Sequence, residues 1–207
     1  MDYVTKGYEP ADALKYFEEI SAIPRGSQNE AAVADYICEF AKAHGLEYYR
    51  DEVHNVIVKK PASKGCENVP PLMLQGHTDM VCVKLPEVEH DFTKDPLELE
   101  IKDGWLTAKG TTLGADDGMA CAYMLAFLAK EDYVQPPLEC VFTSMEESGL
   151  IGSMKIDAGK LSAHRLINMD GGTGAENQSV VSCAGGQVYN FRRTPAWEKA
   201  EGEAVSF

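Results

Sequence analysis

Apolar residues recur at helical spacing twice near the start of the chain. Leu14, Phe17 and Ile20 follow Pro10 in EPADALKYFEEISAI, which predicts a helix with a proline at its opening. Val33, Ile37 and Phe40 form the inner stripe of a second predicted helix, SQNEAAVADYICEFAKAHG. Ser27 and Glu30 read as a capping box at its start and Gly45 as its C-cap. The period then changes. LEYYRDEVHNVIVKK predicts two strands meeting in a turn, and LELEIKDGWLTAKG alternates on both sides of Asp103-Gly104, a hairpin signal. PLMLQGH, LECVFTS and RLINMD are continuous apolar runs of strand length, the pattern of strands buried on both faces. DDGMACAYMLAFLAKED predicts a mostly apolar helix, residues 84–97 a polar connection, and SVVSCAGGQVYNFRR a strand pair about Gly185-Gly186.

Helices interleaved with apolar strands predict an α/β fold: a mixed, largely parallel sheet covered by helices. No internal repeat interrupts it. From Arg192 the chain turns charged, RRTPAWEKAEGEAVSF, and residues 202–207 read as the opening of a strand. The predicted division is therefore one domain over residues 1–190 and the start of another over 191–207.

Composition narrows the classes. The 207 residues are 44% hydrophobic, enough for a sizeable core. A net charge of −14 leaves no basic face for a nucleic acid, while abundant carboxylates suit hard cations. The six cysteines form no C-x-x-C pair, and several sit in apolar runs, so they read as reduced, buried small hydrophobes of a cytoplasmic protein. The first residues lack the basic and apolar regions of a signal peptide. The longest apolar run, GMACAYMLAFLA, is 12 residues, too short to span a bilayer.

The chemistry lies at the strand ends. The run 71–76 delivers His77 and Asp79, the run 138–144 delivers Glu146 and Glu147, and the run 165–169 delivers Asp170. The turn TTLGADDG delivers Asp116 and Asp117 at a helix start. In open α/β sheets ligands bind beyond the carboxyl ends of the strands, so these residues should meet on one rim. Singly, each has a plainer explanation: a satisfied structural histidine, a helix cap, a solvated turn. Jointly they point to divalent cations, because acids held so close would otherwise repel and hold their protons. Imidazole with carboxylates suits Zn²⁺, with Mn²⁺ or Co²⁺ as alternatives. One acid bridging two ions about 3.5–4 Å apart makes a hydrolytic two-metal site. Of the adjacent Glu146 and Glu147, one can ligate while the other takes a proton from water. A nucleotide-binding domain finds no support, since GTTLGADDGMA has neither a phosphate-loop lysine nor a G-x-G-x-x-G.

GHTDMV, TTLGADDGMA, MEESGLIG and LINMD resemble, in this order, the motifs of a metallopeptidase family. That family holds aminoacyl-histidine dipeptidase, carnosinase, tripeptidase and the aminoacylases. DGWLTAKGTTLGADDG and SCAGG are similar to the aminoacyl-histidine (Xaa-His) dipeptidase branch. The resemblance covers nearly the whole chain from residue 8 onward. It implies a zinc-peptidase-like catalytic domain that hydrolyses dipeptides with two Zn²⁺ ions in the cytoplasm, with a small peptide as substrate, no nucleic-acid or membrane partner, and a homodimer in the full-length form. It also implies roles. His77 ligates one metal and Asp79 hydrogen-bonds the imidazole from behind, fixing its tautomer. Asp116 bridges both metals, Asp170 completes the His77 metal and Glu147 ligates the second. Glu146 is the general base and then the acid to the leaving amine. The Asp116-Asp117 peptide bond is expected to be cis.

Two departures accompany the resemblance. After Asp170 the family usually has Ser-Glu, where this chain has Gly171-Gly172. The family's catalytic domain is also interrupted by a lid domain and takes a last histidine ligand, for the second metal, from a C-terminal segment. The expectation is that this chain stops at Phe207 in the first lid strand and lacks that histidine. It would then keep one well-held metal and little or no dipeptidase activity. His44, His54 and His164 fall far from the rim, which leaves His90 as the only conceivable substitute. An N-acyl amino acid amidohydrolase would use the same centre on another substrate, and a non-catalytic metal-binding fragment is the alternative from another class.

Overall fold

The computed structural model describes residues 2–171. The strand pair expected about Gly185-Gly186, the boundary at 190/191, the strand start at 202–207 and Cys183 lie outside the described residues. The elements are α1 (Ala11–Ser21), α2 (Ala31–Ala43), β1 (Glu47–Arg50), β2 (Val56–Lys60), β3 (Leu72–His77), β4 (Leu99–Lys102), β5 (Trp105–Ala108), α3 (Ala115–Ala129), β6 (Leu138–Thr143) and β7 (Arg165–Asn168).

Five strands form one sheet in the order β1-β2-β6-β3-β7. β2 is antiparallel to both neighbours, whereas β6, β3 and β7 pair in parallel. Four of the five strands therefore run the same way, the mixed and largely parallel sheet the apolar runs predict. β4 and β5 make a separate hairpin. Its turn residues Asp103 (φ 52°) and Gly104 (φ 83°) are both left-handed, the geometry that matches strand twist in a two-residue turn.

Register and the two-residue period of the strands line up one helix-facing side of the sheet. Val58 lies opposite Cys140, and Cys140 lies beside Leu74. These residues, with Val56 and Phe142, join Phe17, Ile20, Ile37 and Leu125 of the helices in a single core. β6 is buried at all positions because β2 and β3 flank it on both sides. β7 departs from expectation. The sequence predicts a buried strand, yet all four residues are exposed, with Leu166 at 58% and Ile167 at 50%. It stands last in the sheet order.

Two further expectations change. α2 begins at Ala31 with Glu30 in the N-cap position, but neither the Ser27 nor the Glu30 side chain caps it; both bond to distant segments instead. Gly45 does take the left-handed conformation just beyond the helix end. The cysteines are not uniformly interior. Cys38, Cys121 and Cys140 are buried, but Cys66 is half-buried and Cys82 is exposed, because both lie in loops rather than in core elements.

Gly76 lets α3 approach β3. A Cβ there would lie 2.5 Å from Asp117 Oδ2 and 2.8 Å from Ala120 Cβ. Gly76→Ala is expected to destabilise the fold by about 1–3 kcal/mol through overpacking, read as a lower urea midpoint with an unchanged slope. An unshifted midpoint would mean that α3 can move off the strand without cost.

Candidate metal centre

His77, the last residue of β3, is 1% exposed and stands level with Thr143 at the end of β6. The parallel ladder thus brings the segment leaving β6, with Glu146 and Glu147, out beside the imidazole. β7 exits on the other side, where the Met169 N–H donates to Gln75 O (2.8 Å) and sets Asp170 next to the rim. The entrance to α3 is the fourth support. Gly114 is left-handed (φ 66°), Asp116 is extended (φ −83°, ψ 109°), and the Asp116-Asp117 bond is cis, as the resemblance implied.

These four segments gather the residues singled out from the sequence. His77 Nε2 lies 3.0 Å from Asp116 Oδ1, 3.9 Å from Glu146 Oε2 and 4.0 Å from Asp170 Oδ2. One set of donor atoms, from His77, Glu146 and Asp170, falls within 4.8 Å of one another, and so does a second from His77, Asp116 and Glu147. One imidazole nitrogen facing four carboxylates is a donor set that fits Zn²⁺ or Mn²⁺. His44, His54, His90 and His164 belong to neither set.

Asp79 is fully buried and does more than back the histidine. His77 Nδ1 is 3.0 Å from the Asp79 main-chain oxygen and 3.4 Å from its carboxylate. Nδ1–H donating there leaves Nε2 as the ring nitrogen that faces the acids. The same carboxylate accepts the backbone N–H groups of Glu146 (2.9 Å) and Glu147 (3.3 Å) and the Ser27 hydroxyl (2.7 Å). It therefore couples the β3 exit to the β6 exit.

The electrostatics follow from this crowding. Burial disfavours the His77 imidazolium, but Asp79, Asp117 and Asp170 outweigh it and raise its pKa to about 9. Burial alone would push Asp79 up, yet the bonds from His77, Ser27 and Glu146 hold it below the usual carboxylate range. Glu146 is raised by burial and by Asp170 and Glu147, and Glu147 by burial and Asp116.

The sequence brings Asp117 to the rim without giving it a role, and three further residues of the surroundings escape it. Asp117 is buried, accepts the His77 N–H (3.1 Å), and is pushed up to about 7, chiefly by burial. Its one hint in the sequence is the doubling of acids at a helix start. Arg25, 2% exposed, donates to the main-chain oxygens of Thr78 (2.9 Å), Asp79 (3.4 Å) and Gly114 (2.5 Å). An arginine in a polar loop carries no signal of such burial. Ser27 and Glu30 carry a signal, but it is one shared with helix capping.

The sequence pattern of peptidase family M20/M25/M40 matches residues 73–200. The chain is 44% identical over 177 residues to the cytosol non-specific dipeptidase of Escherichia coli (strain K12), an alignment covering 86% of this chain and 36% of that one. Among solved structures it superposes on the aminoacylhistidine dipeptidase from Vibrio alginolyticus with a TM-score of 0.78 and 41% identity, covering 81% of this chain and 34% of the other. A tripeptidase from Staphylococcus aureus matches with a TM-score of 0.66 and 26% identity, over 78% of this chain and 43% of that one. The chain thus spans little more than a third of the length of the curated relative.

Proposed function

This chain belongs to peptidase family M20/M25/M40, and from that premise we propose that it carries the metal centre of a dipeptidase of the Xaa-His type. The observation that carries the reading is the convergence on His77 Nε2 of Asp116, Glu146 and Asp170 within 4.0 Å at one sheet rim. Cations bound there would neutralise acids that otherwise repel one another and tend to hold protons. The names of two relatives, a non-specific dipeptidase and an aminoacylhistidine dipeptidase, favour a dipeptide over an N-acyl amino acid as substrate.

In this reading His77, Asp116 and Asp170 hold one cation, and Glu147 with Asp116 holds a second. Zn²⁺ suits the donors, with Mn²⁺ or Co²⁺ as alternatives. When bound, such ions acidify a water and polarise the scissile carbonyl. Asp79 keeps Nδ1 of His77 protonated, so that Nε2 presents its lone pair to the centre. Glu146 stands beside this position, its carboxylate 3.9 Å from His77 Nε2. It takes the proton of the attacking water and returns it to the departing amine.

Among the described residues His77 is the only histidine within reach of the acids. For a polypeptide of these 207 residues we expect one tightly held cation and little turnover of its own. Calorimetric titration with Zn²⁺ tests this: a stoichiometry near one is expected, two tight sites would contradict the assignment, and no binding would end it. No helix of the described residues is long and apolar enough to cross a membrane. A cytoplasmic location is proposed from the name of the Escherichia coli relative.

A further inference from the structure

The stretch Arg25-Gly26-Ser27-Gln28-Asn29-Glu30 contains Ser27 and Glu30, read from the sequence as a capping box, whose side chains make no capping bond to α2. Its side chains reach across the molecule. Arg25 bonds to the β3 exit at Thr78 and Asp79 and to the α3 entrance at Gly114. The backbone of the stretch continues the contact, with a parallel bridge between Gly26 and Met80 and the Met80 N–H on Arg25 O (3.2 Å). Ser27 Oγ donates to Asp79 Oδ2 (2.7 Å). Glu30, 1% exposed, accepts with Oε1 the N–H of Gln28 (3.0 Å) and the N–H of Met145 (3.0 Å).

A second observation makes this more than packing. The two residues whose N–H groups Glu30 holds are both left-handed without being glycine: Gln28 at φ 74° and Met145 at φ 50°. That conformation costs an ordinary residue free energy and persists only where the surroundings over-determine it. Met145 immediately precedes Glu146. One buried carboxylate oxygen therefore holds the strained turn that aims Glu146 and Glu147, and Ser27 secures the Asp79 carboxylate to which their two N–H groups are tied.

We propose that Ser27 and Glu30 are positioning residues of the metal centre, acting through Asp79 and Met145 to set where Glu146 and Glu147 stand. The inference rests on the metal-centre reading above. Neither residue touches the cation position; Ser27 holds, and Glu30 aligns through the Met145 turn, the Asp79 carboxylate that also backs the His77 ligand (3.4 Å), so the loss of either reaches the tightly held cation as well as the two glutamates. Loss of such a supporting partner typically weakens metal binding about 10–100-fold.

The test is a Co²⁺ titration of the 207-residue protein, followed by visible absorption, with thermal unfolding of each variant as the check on folding. Glu30→Ala is expected to weaken Co²⁺ binding about 10–100-fold and to change the band shape. Glu30→Gln, which keeps an amide oxygen for the two N–H groups, should restore the affinity to within a few-fold of wild type. Ser27→Ala should lose affinity in the same direction and by less. Tyr36→Phe, which removes a part-buried bond to Glu19 in another region, should lower the melting temperature and leave the Co²⁺ affinity unchanged. Folded Glu30→Ala and Ser27→Ala proteins with wild-type affinity and spectrum would overturn the inference alone. If Glu30→Ala does not fold, Ser27→Ala decides by the same criterion. A wild-type protein that binds no Co²⁺ would overturn the metal-centre reading and this inference with it.

Discussion

Glu146→Gln is expected to abolish dipeptide turnover while sparing bound metal, in a chimera that carries residues 1–171 in place of the matching segment of the Vibrio alginolyticus aminoacylhistidine dipeptidase. The superposition of the two chains, at a TM-score of 0.78, makes that exchange practicable. Glutamine preserves the shape of the side chain and its place beside His77 Nε2, but it cannot accept a proton. General base catalysis contributes about 10²–10⁴-fold, so the loss should fall in or beyond that range. Metal content by elemental analysis should match the unsubstituted chimera, because in this reading Glu146 is not a required ligand. Turnover that survives the substitution would remove the base from Glu146. Metal lost along with turnover would make Glu146 a ligand, as its grouping with His77 and Asp170 permits. The same chimera, offered Xaa-His dipeptides and N-acetyl amino acids in parallel, distinguishes the dipeptidase reading from the amidohydrolase one.

His77→Ala should have the largest effect on the 207-residue protein itself. His77 Nε2 is common to both candidate donor sets, so its removal strips a ligand from each. The affinity loss should exceed the about 10–100-fold that losing a mere supporting partner costs. Calorimetry with Zn²⁺ measures it, and unchanged binding would place the cation elsewhere. The metal-free protein should also suffer. The imidazole is held cationic by its buried acids, and removing one partner of a buried charged pair costs about 3–5 kcal/mol. Its pKa is raised from 6.5 to about 9. A raised pKa stabilises the fold fully below the unfolded value and loses that contribution as pH rises through the folded one. The stability gap between wild type and His77→Ala, both metal-free, should therefore be widest at or below pH 6.5 and narrow as pH approaches 9. A gap independent of pH would mean that the ring stabilises by packing rather than by charge.

The chain shows where local pattern suffices and where it misleads. The six apolar positions that predict α1 and α2 lie in those helices, although Leu14 is only half-buried and the buried face of α1 runs through Ala13, Tyr16, Phe17 and Ile20. The capping box fails because serine and glutamate serve equally as caps and as long-range partners. Met145 and Glu30 are 115 positions apart, and no local window contains that competition. β7 misleads for a related reason: an apolar run records that a strand tends to be covered, not which residues cover it.

What the linear order of residues determined by itself was the inventory: apolar runs of strand length, each followed by an imidazole or carboxylate, at a sheet rim where such groups could not coexist uncompensated. That much is local, because hydrophobic period and strand length are properties of a few consecutive residues. Tertiary structure alone decided that β6 lies beside β3, so that His77 and Thr143 are level and Glu146 emerges against the imidazole. It likewise decided that Arg25, Ser27 and Glu30 turn inward to hold the exits of distant strands. Strand order and buried polar bonds depend on which distant groups remain unsatisfied once the core has closed, and that is a property of the whole fold rather than of any one segment.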